Sequence, residues 1–79
     1  MAMAIKAYVF IETTPGKASQ VVASMSKLAG VKMAHPVTGS YDVIAFVEAK
    51  DVVALGEFIS SRVHRLPDVQ KTTTNVVVD

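Results

Sequence analysis

The sequence has 79 residues, a net charge of +1 and no cysteine. That length holds one small domain or one protomer of an assembly; the charge balance excludes a basic nucleic-acid footprint, and the missing cysteines exclude disulfides, thiolate-bound zinc and iron–sulfur clusters. Apolar residues make up 51% of the chain, which excludes intrinsic disorder and exceeds what so small an interior can hide, a first sign of a partner surface.

The opening Met1–Ile11 is apolar but interrupted by Lys6. It lacks the regions of a signal peptide and is too short to span a bilayer, so a cytoplasmic location without membrane contact is expected. Within it, Ala4–Glu12 predicts a strand. Ile5, Ala7, Val9 and Ile11 share one face and Ala4, Lys6, Tyr8 and Phe10 the other, a two-sided pattern that suits a central strand.

Thr14 as N-cap and Pro15 as first helical residue predict that a helix opens here. Ala18, Val21, Val22, Met25, Leu28 and Ala29 form its apolar stripe, and Gly30 ends it in the left-handed region. Val31–Val37 is the next strand, placed at a sheet edge because Pro36 cannot donate to a ladder. Thr38-Gly39-Ser40 turns the chain into Tyr41–Glu48, which is apolar on both parities and so central: Tyr41, Val43, Ala45 and Val47 against Ile44 and Phe46. Asp51 caps a second helix with Val52, Leu55, Phe58, Ile59, Val63 and Leu66 inward. Pro67 stops it, and Val69–Val78 is the last strand. The four methionines are expected as core filler.

The order strand–helix–strand–strand–helix–strand is the ferredoxin-like α+β plan: a four-stranded antiparallel sheet with two helices on one face. Right-handed crossovers put both helices on that face. The other is left apolar, and wetting each large side chain there forgoes about 1.5–3 kcal/mol. A homo-oligomer pairing through its sheets, by default a two-fold dimer, is therefore expected.

Tyr41 and Asp42 leave the turn beside backbone N–H groups, an arrangement that suits a small zwitterion and equally an ordinary hairpin. His35 and His64 are far apart with no further ligands at metal spacing, so no metal site is expected. No nucleophile–base pair or carboxylate pair stands out. Gly16, Gly30, Gly39 and Gly56 are isolated, which excludes a phosphate-binding loop. No cofactor is expected.

Gly30-Val31, then Val37-Thr38-Gly39-Ser40-Tyr41-Asp42, then Leu66-Pro67-Asp68-Val69-Gln70-Lys71-Thr72-Thr73-Thr74, resemble the ligand-sensing RAM domain (regulation of amino-acid metabolism) of the Lrp/AsnC, or feast/famine, regulators. The resemblance covers nearly the whole chain and implies a single RAM domain over residues 1–79. It implies a non-enzymatic module in transcription regulation: dimers pair through their sheets, assemble into rings, commonly octamers, and bind amino acids between dimers. The matching residues are Gly39, Tyr41, Asp42, Thr72 and Thr74, with Ser40 in the same loop. Thr73 points away and is expected to be structural only. Unlike full-length regulators, whose helix-turn-helix precedes the first sensing strand, this chain is expected to carry none. It resembles the stand-alone sensing modules, with no direct DNA contact expected and a full-length Lrp/AsnC-type regulator as the implied partner. Two other readings stay open. One is a small dimeric ferredoxin-like enzyme of the monooxygenase or isomerase type, disfavoured by the lack of Trp. The other is an assembly module that binds no ligand.

Overall fold

Strand β1, Ile5–Thr13, is central, and the rest of the molecule is assembled on it. The computed structural model describes residues 4–78. After β1 come α1 (Ala18–Ser26), β2 (Val31–Pro36), β3 (Val43–Ala49), α2 (Val52–Phe58) running on into a π-helical segment (Ile59–Val63), and β4 (Val69–Val76). The sheet order is β2-β3-β1-β4 and every neighbouring pair is antiparallel. This is the ferredoxin-like plan expected from the sequence, with β2 at an edge and β1 and β3 in the middle.

Strand alternation builds the core. Ala7, Val9 and Ile11 of β1 and Val43, Ala45 and Val47 of β3 are fully buried. They meet Val21 and Met25 of α1 and Leu55, Ile59 and Val63 of the second helix in one cluster. α1 rests on β2 and β3, and α2 on β3, while β4 brings the half-buried Val69 to the edge of the cluster and leaves Thr74 exposed.

Among the described residues the opposite face has no helix. Register places Tyr8 opposite Phe46, Phe10 opposite Ile44 and Met33 opposite Phe46. The Tyr8 and Phe46 rings lie 4.9 Å apart, and Tyr8 and Met33 are 40% and 45% exposed. An apolar surface therefore occupies the middle of this face, with Lys6 and Glu48 paired at one end and Glu12 and Lys71 at the other.

Several local expectations are corrected. Thr14 does not cap α1. Lys17 N–H donates to the Thr14 carbonyl at 3.0 Å and Gly16 takes φ +81°, so Pro15-Gly16 forms the middle of a tight turn. The helix then starts at Ala18, with Lys17 at its N-cap and no side-chain cap. It ends at Ser26, before Leu28 and Ala29, and Gly30 at φ +94° turns the chain into β2. The hairpin loop is longer than Thr38-Gly39-Ser40: Pro36 pairs with Val43, and Val37 N–H donates to the Asp42 carbonyl at 2.9 Å. Tyr41 thus precedes β3 and escapes its alternation; its ring packs on Phe10 at 5.2 Å, on the open face and not with Val43. Val52 is 63% exposed rather than inward, because it occupies the first turn beside Asp51, whose carboxylate caps the Ala54 N–H at 2.7 Å. Met25 is core, whereas Met33 is on the open face; Met1 and Met3 lie outside the described residues.

Candidate functional site

The Val37–Asp42 loop is held from its C-terminal end. Asp42 N–H donates to the Ile11 carbonyl at 2.9 Å, and the Asp42 Oδ2 accepts the Thr13 N–H at 2.8 Å. Thr13 follows an irregularity in β1–β4 pairing, where the register steps from Glu12–Lys71 to Thr13–Val69 and skips Gln70. A buried backbone N–H left without a ladder partner needs another acceptor, and Asp42 supplies it. The carboxylate is therefore a structural anchor, and among the described residues its second oxygen, Oδ1, has no hydrogen-bond partner.

Ahead of it Gly39, at φ +122°, and Ser40 are exposed at the tip. A side chain is disfavoured at that φ, although nothing among the described residues lies within 4 Å of where a Cβ would sit. The glycine therefore serves the backbone turn and leaves space beside it open.

Tyr41 reaches over the open face. Its hydroxyl is 3.5 Å from the Thr73 Oγ1, and Thr73 pairs with Phe10. Thr73, expected to be structural only, is thus the β4 threonine on Tyr41's side of the sheet. Thr72 pairs with Ile11 and Thr74 with Val9, so both belong to the helix side of β4. Thr72 is half-buried and Thr74 exposed. The His64 Nε2 lies 2.7 Å from the Thr72 Oγ1.

Asp42 and Thr72 flank Ile11 on its two sides, at one end of the sheet. The six sequence-derived residues do not converge within one chain: Gly39, Ser40 and Asp42 cluster at the loop, Tyr41 addresses the open face, and Thr72 and Thr74 the other. Phe10, Thr73 and His64 are the contacts that sequence reasoning missed. Phe10 and Thr73 follow once register is known, because Tyr41 stands over both. His64 carried no signal, since its contact depends on how the helix before it ends.

Among the described residues no group of three or more His, Asp or Glu side chains could hold a metal. No helix of the described residues is long and apolar enough to cross a membrane.

Comparison with known proteins bears on what this geometry serves. The family model described as the Lrp/AsnC ligand binding domain matches residues 6–79. An uncharacterized HTH-type transcriptional regulator from Pyrococcus abyssi is 30% identical over 73 residues, 92% of this chain and 46% of the relative. The chain thus spans about half the length of the curated relatives it matches. A hypothetical protein from Pyrococcus horikoshii superposes with a TM-score of 0.88 at 30% identity, over 98% of this chain and 92% of that one. A transcriptional regulator from Neisseria meningitidis, solved in complex with L-Met, shares the fold with a TM-score of 0.85 at 19% identity, over 95% of this chain and 50% of that one. With a match running from the first strand to the last residue, this chain belongs to the Lrp/AsnC ligand-binding domain family.

Proposed function

We propose that the chain is a non-enzymatic, cytoplasmic amino-acid sensor. In this reading it pairs through its open sheet faces, assembles dimers into a ring, an octamer by family precedent, and binds a small amino acid between dimers. Through such assemblies it modulates a full-length Lrp/AsnC-type regulator. The observation that carries the reading is the match of the family's ligand-binding domain to residues 6–79.

Two features support it. The apolar face of Tyr8, Phe10, Met33, Ile44 and Phe46, with oppositely charged residues paired at each end, has the composition of a self-complementary interface. The scatter of the six binding residues over two faces of one chain suits a site completed by a neighbouring copy. There, the exposed loop of one subunit supplies Gly39, Ser40, Tyr41 and Asp42, and a second supplies Thr72 and Thr74. The Oδ1 of Asp42 suits the ligand's ammonium group and the loop N–H groups its carboxylate. The L-Met complex of the Neisseria relative is consistent with a ligand of this class.

Size-exclusion light scattering and thermal melts, with and without each common L-amino acid at millimolar concentration, test the reading. At least one amino acid is expected to raise the melting temperature or change the mass of the assembly. A particle and a melt indifferent to all of them would overturn it.

A further inference from the structure

The second helix ends irregularly. Instead of closing in α-helical register, His64 N–H donates to the carbonyl of Ile59, five residues back, at 2.9 Å. A π-turn accommodates one residue more than an α-turn and so re-aims whatever follows it, and such turns are frequent at functional sites. Here the residue that follows is His64, and its ring meets β4 at Thr72, with Nε2 2.7 Å from Oγ1.

The strand it meets is unusual for this side of the sheet. Elsewhere on this side Ala7, Val9 and Ile11 of β1 and Val43, Ala45 and Val47 of β3 are buried and apolar. On β4, Thr72 and Thr74 carry hydroxyls instead, the second of them exposed. His64 is itself exposed. A contact between two polar side chains at the surface adds little to folding, yet it fixes a threonine rotor that would otherwise turn freely.

Resting on the amino-acid-binding reading above, we infer that His64 is a positioning residue of the ligand site: through Nε2 it holds the Thr72 hydroxyl and sets what that hydroxyl offers to a ligand. A neutral imidazole donates from one ring nitrogen and accepts at the other. With the proton on Nε2, the ring donates to Thr72 Oγ1, and the threonine O–H is left to donate to a ligand carboxylate. With the proton on Nδ1, the threonine donates to Nε2 and turns its lone pairs to an ammonium or amide donor. The pair therefore adapts to either polar end of a zwitterion, and Thr74, two residues along the same face, supplies the complementary group.

Calorimetric titration with the common L-amino acids, on the wild-type chain and on His64→Ala, His64→Gln, Thr72→Val and His64→Ala/Thr72→Val, tests the role. His64→Ala and Thr72→Val are each expected to weaken binding about tenfold, and the double variant no further than either alone, because they remove one unit. His64→Gln, whose amide can still reach a hydroxyl, is expected to recover part of the loss and covers the case in which His64→Ala fails to fold. Saturating amino acid is further expected to shift the His64 ring nitrogen resonances of the wild type and not those of Thr72→Val. Wild-type affinity in His64→Ala, or losses that simply add, overturns the positioning role and leaves the sensing reading intact. Failure of the wild type to bind any amino acid overturns both.

Discussion

At Asp42 one carboxylate serves two ends. It closes the Thr13 N–H at 2.8 Å, and in the proposed site its other oxygen takes the ligand ammonium. The two demands separate by substitution. Asp42→Ala strands a buried N–H and is expected to cost about 1–3 kcal/mol, read by chemical denaturation. Asp42→Asn keeps a carbonyl acceptor and is expected to hold stability to within about 1 kcal/mol, while amino-acid binding falls sharply for want of the charge. Asp68 is a different case: it sits at φ +71°, where L side chains are disfavoured. Asp68→Gly is therefore expected to gain up to about 1 kcal/mol, seen as a higher melting temperature. Gly30 runs the other way, since at φ +94° an added Cβ would stand 2.8 Å from the Glu48 carbonyl oxygen. Gly30→Ala is expected to cost about 3 kcal/mol. Gly30's positive φ was legible in the sequence. Asp68's was not, because nothing local distinguishes a Pro-Asp turn that needs φ > 0 from one that does not.

Elements were legible wherever hydrophobic period decides. All four strands and both helices follow from parity or from a stripe, and Asp51 was recognisable as a cap because nothing near it competes. The N-terminus of α1 shows the limit. Thr14-Pro15-Gly16 satisfies the rules for a helix start and for a Pro-Gly turn alike, and the turn prevails because Gly16 gains more from a left-handed φ than the helix gains from one added turn. The cost of that choice is a helix led by Lys17, a cation at the positive end of the dipole and without a capping oxygen. Lys17→Ser is accordingly expected to stabilise the chain by about 1 kcal/mol, measurable in the denaturation midpoint. The same limit hid the Tyr41 placement. Alternation holds only inside a ladder, and the ladder begins two residues later, at Val43.

For the molecule as a whole, the open sheet face was legible from two-sided strands and the crossover rule. The distribution of the site over two faces was not, since it depends on β1–β4 register and on the π-turn. The proposed pairing of open faces predicts that Phe46→Glu, which puts a charge beside the Tyr8 ring, lowers the mass seen by light scattering while the far-ultraviolet circular dichroism stays unchanged. An unaltered mass would sink that pairing. The loop, the central strand and the final strand are also linked in one line: Asp42 grips Thr13, Thr13 faces Val69 across the skipped residue, and Thr14 N–H donates to the Asp68 carbonyl at 2.9 Å. In the proposed site an ammonium on Oδ1 leaves Oδ2 with the Thr13 amide, so occupancy adds a second hold on the same carboxylate. That amide thus becomes a natural gauge of occupancy, and its deuterium uptake is expected to slow as effector is added, recording at one backbone proton how tightly the loop remains tethered to the frame.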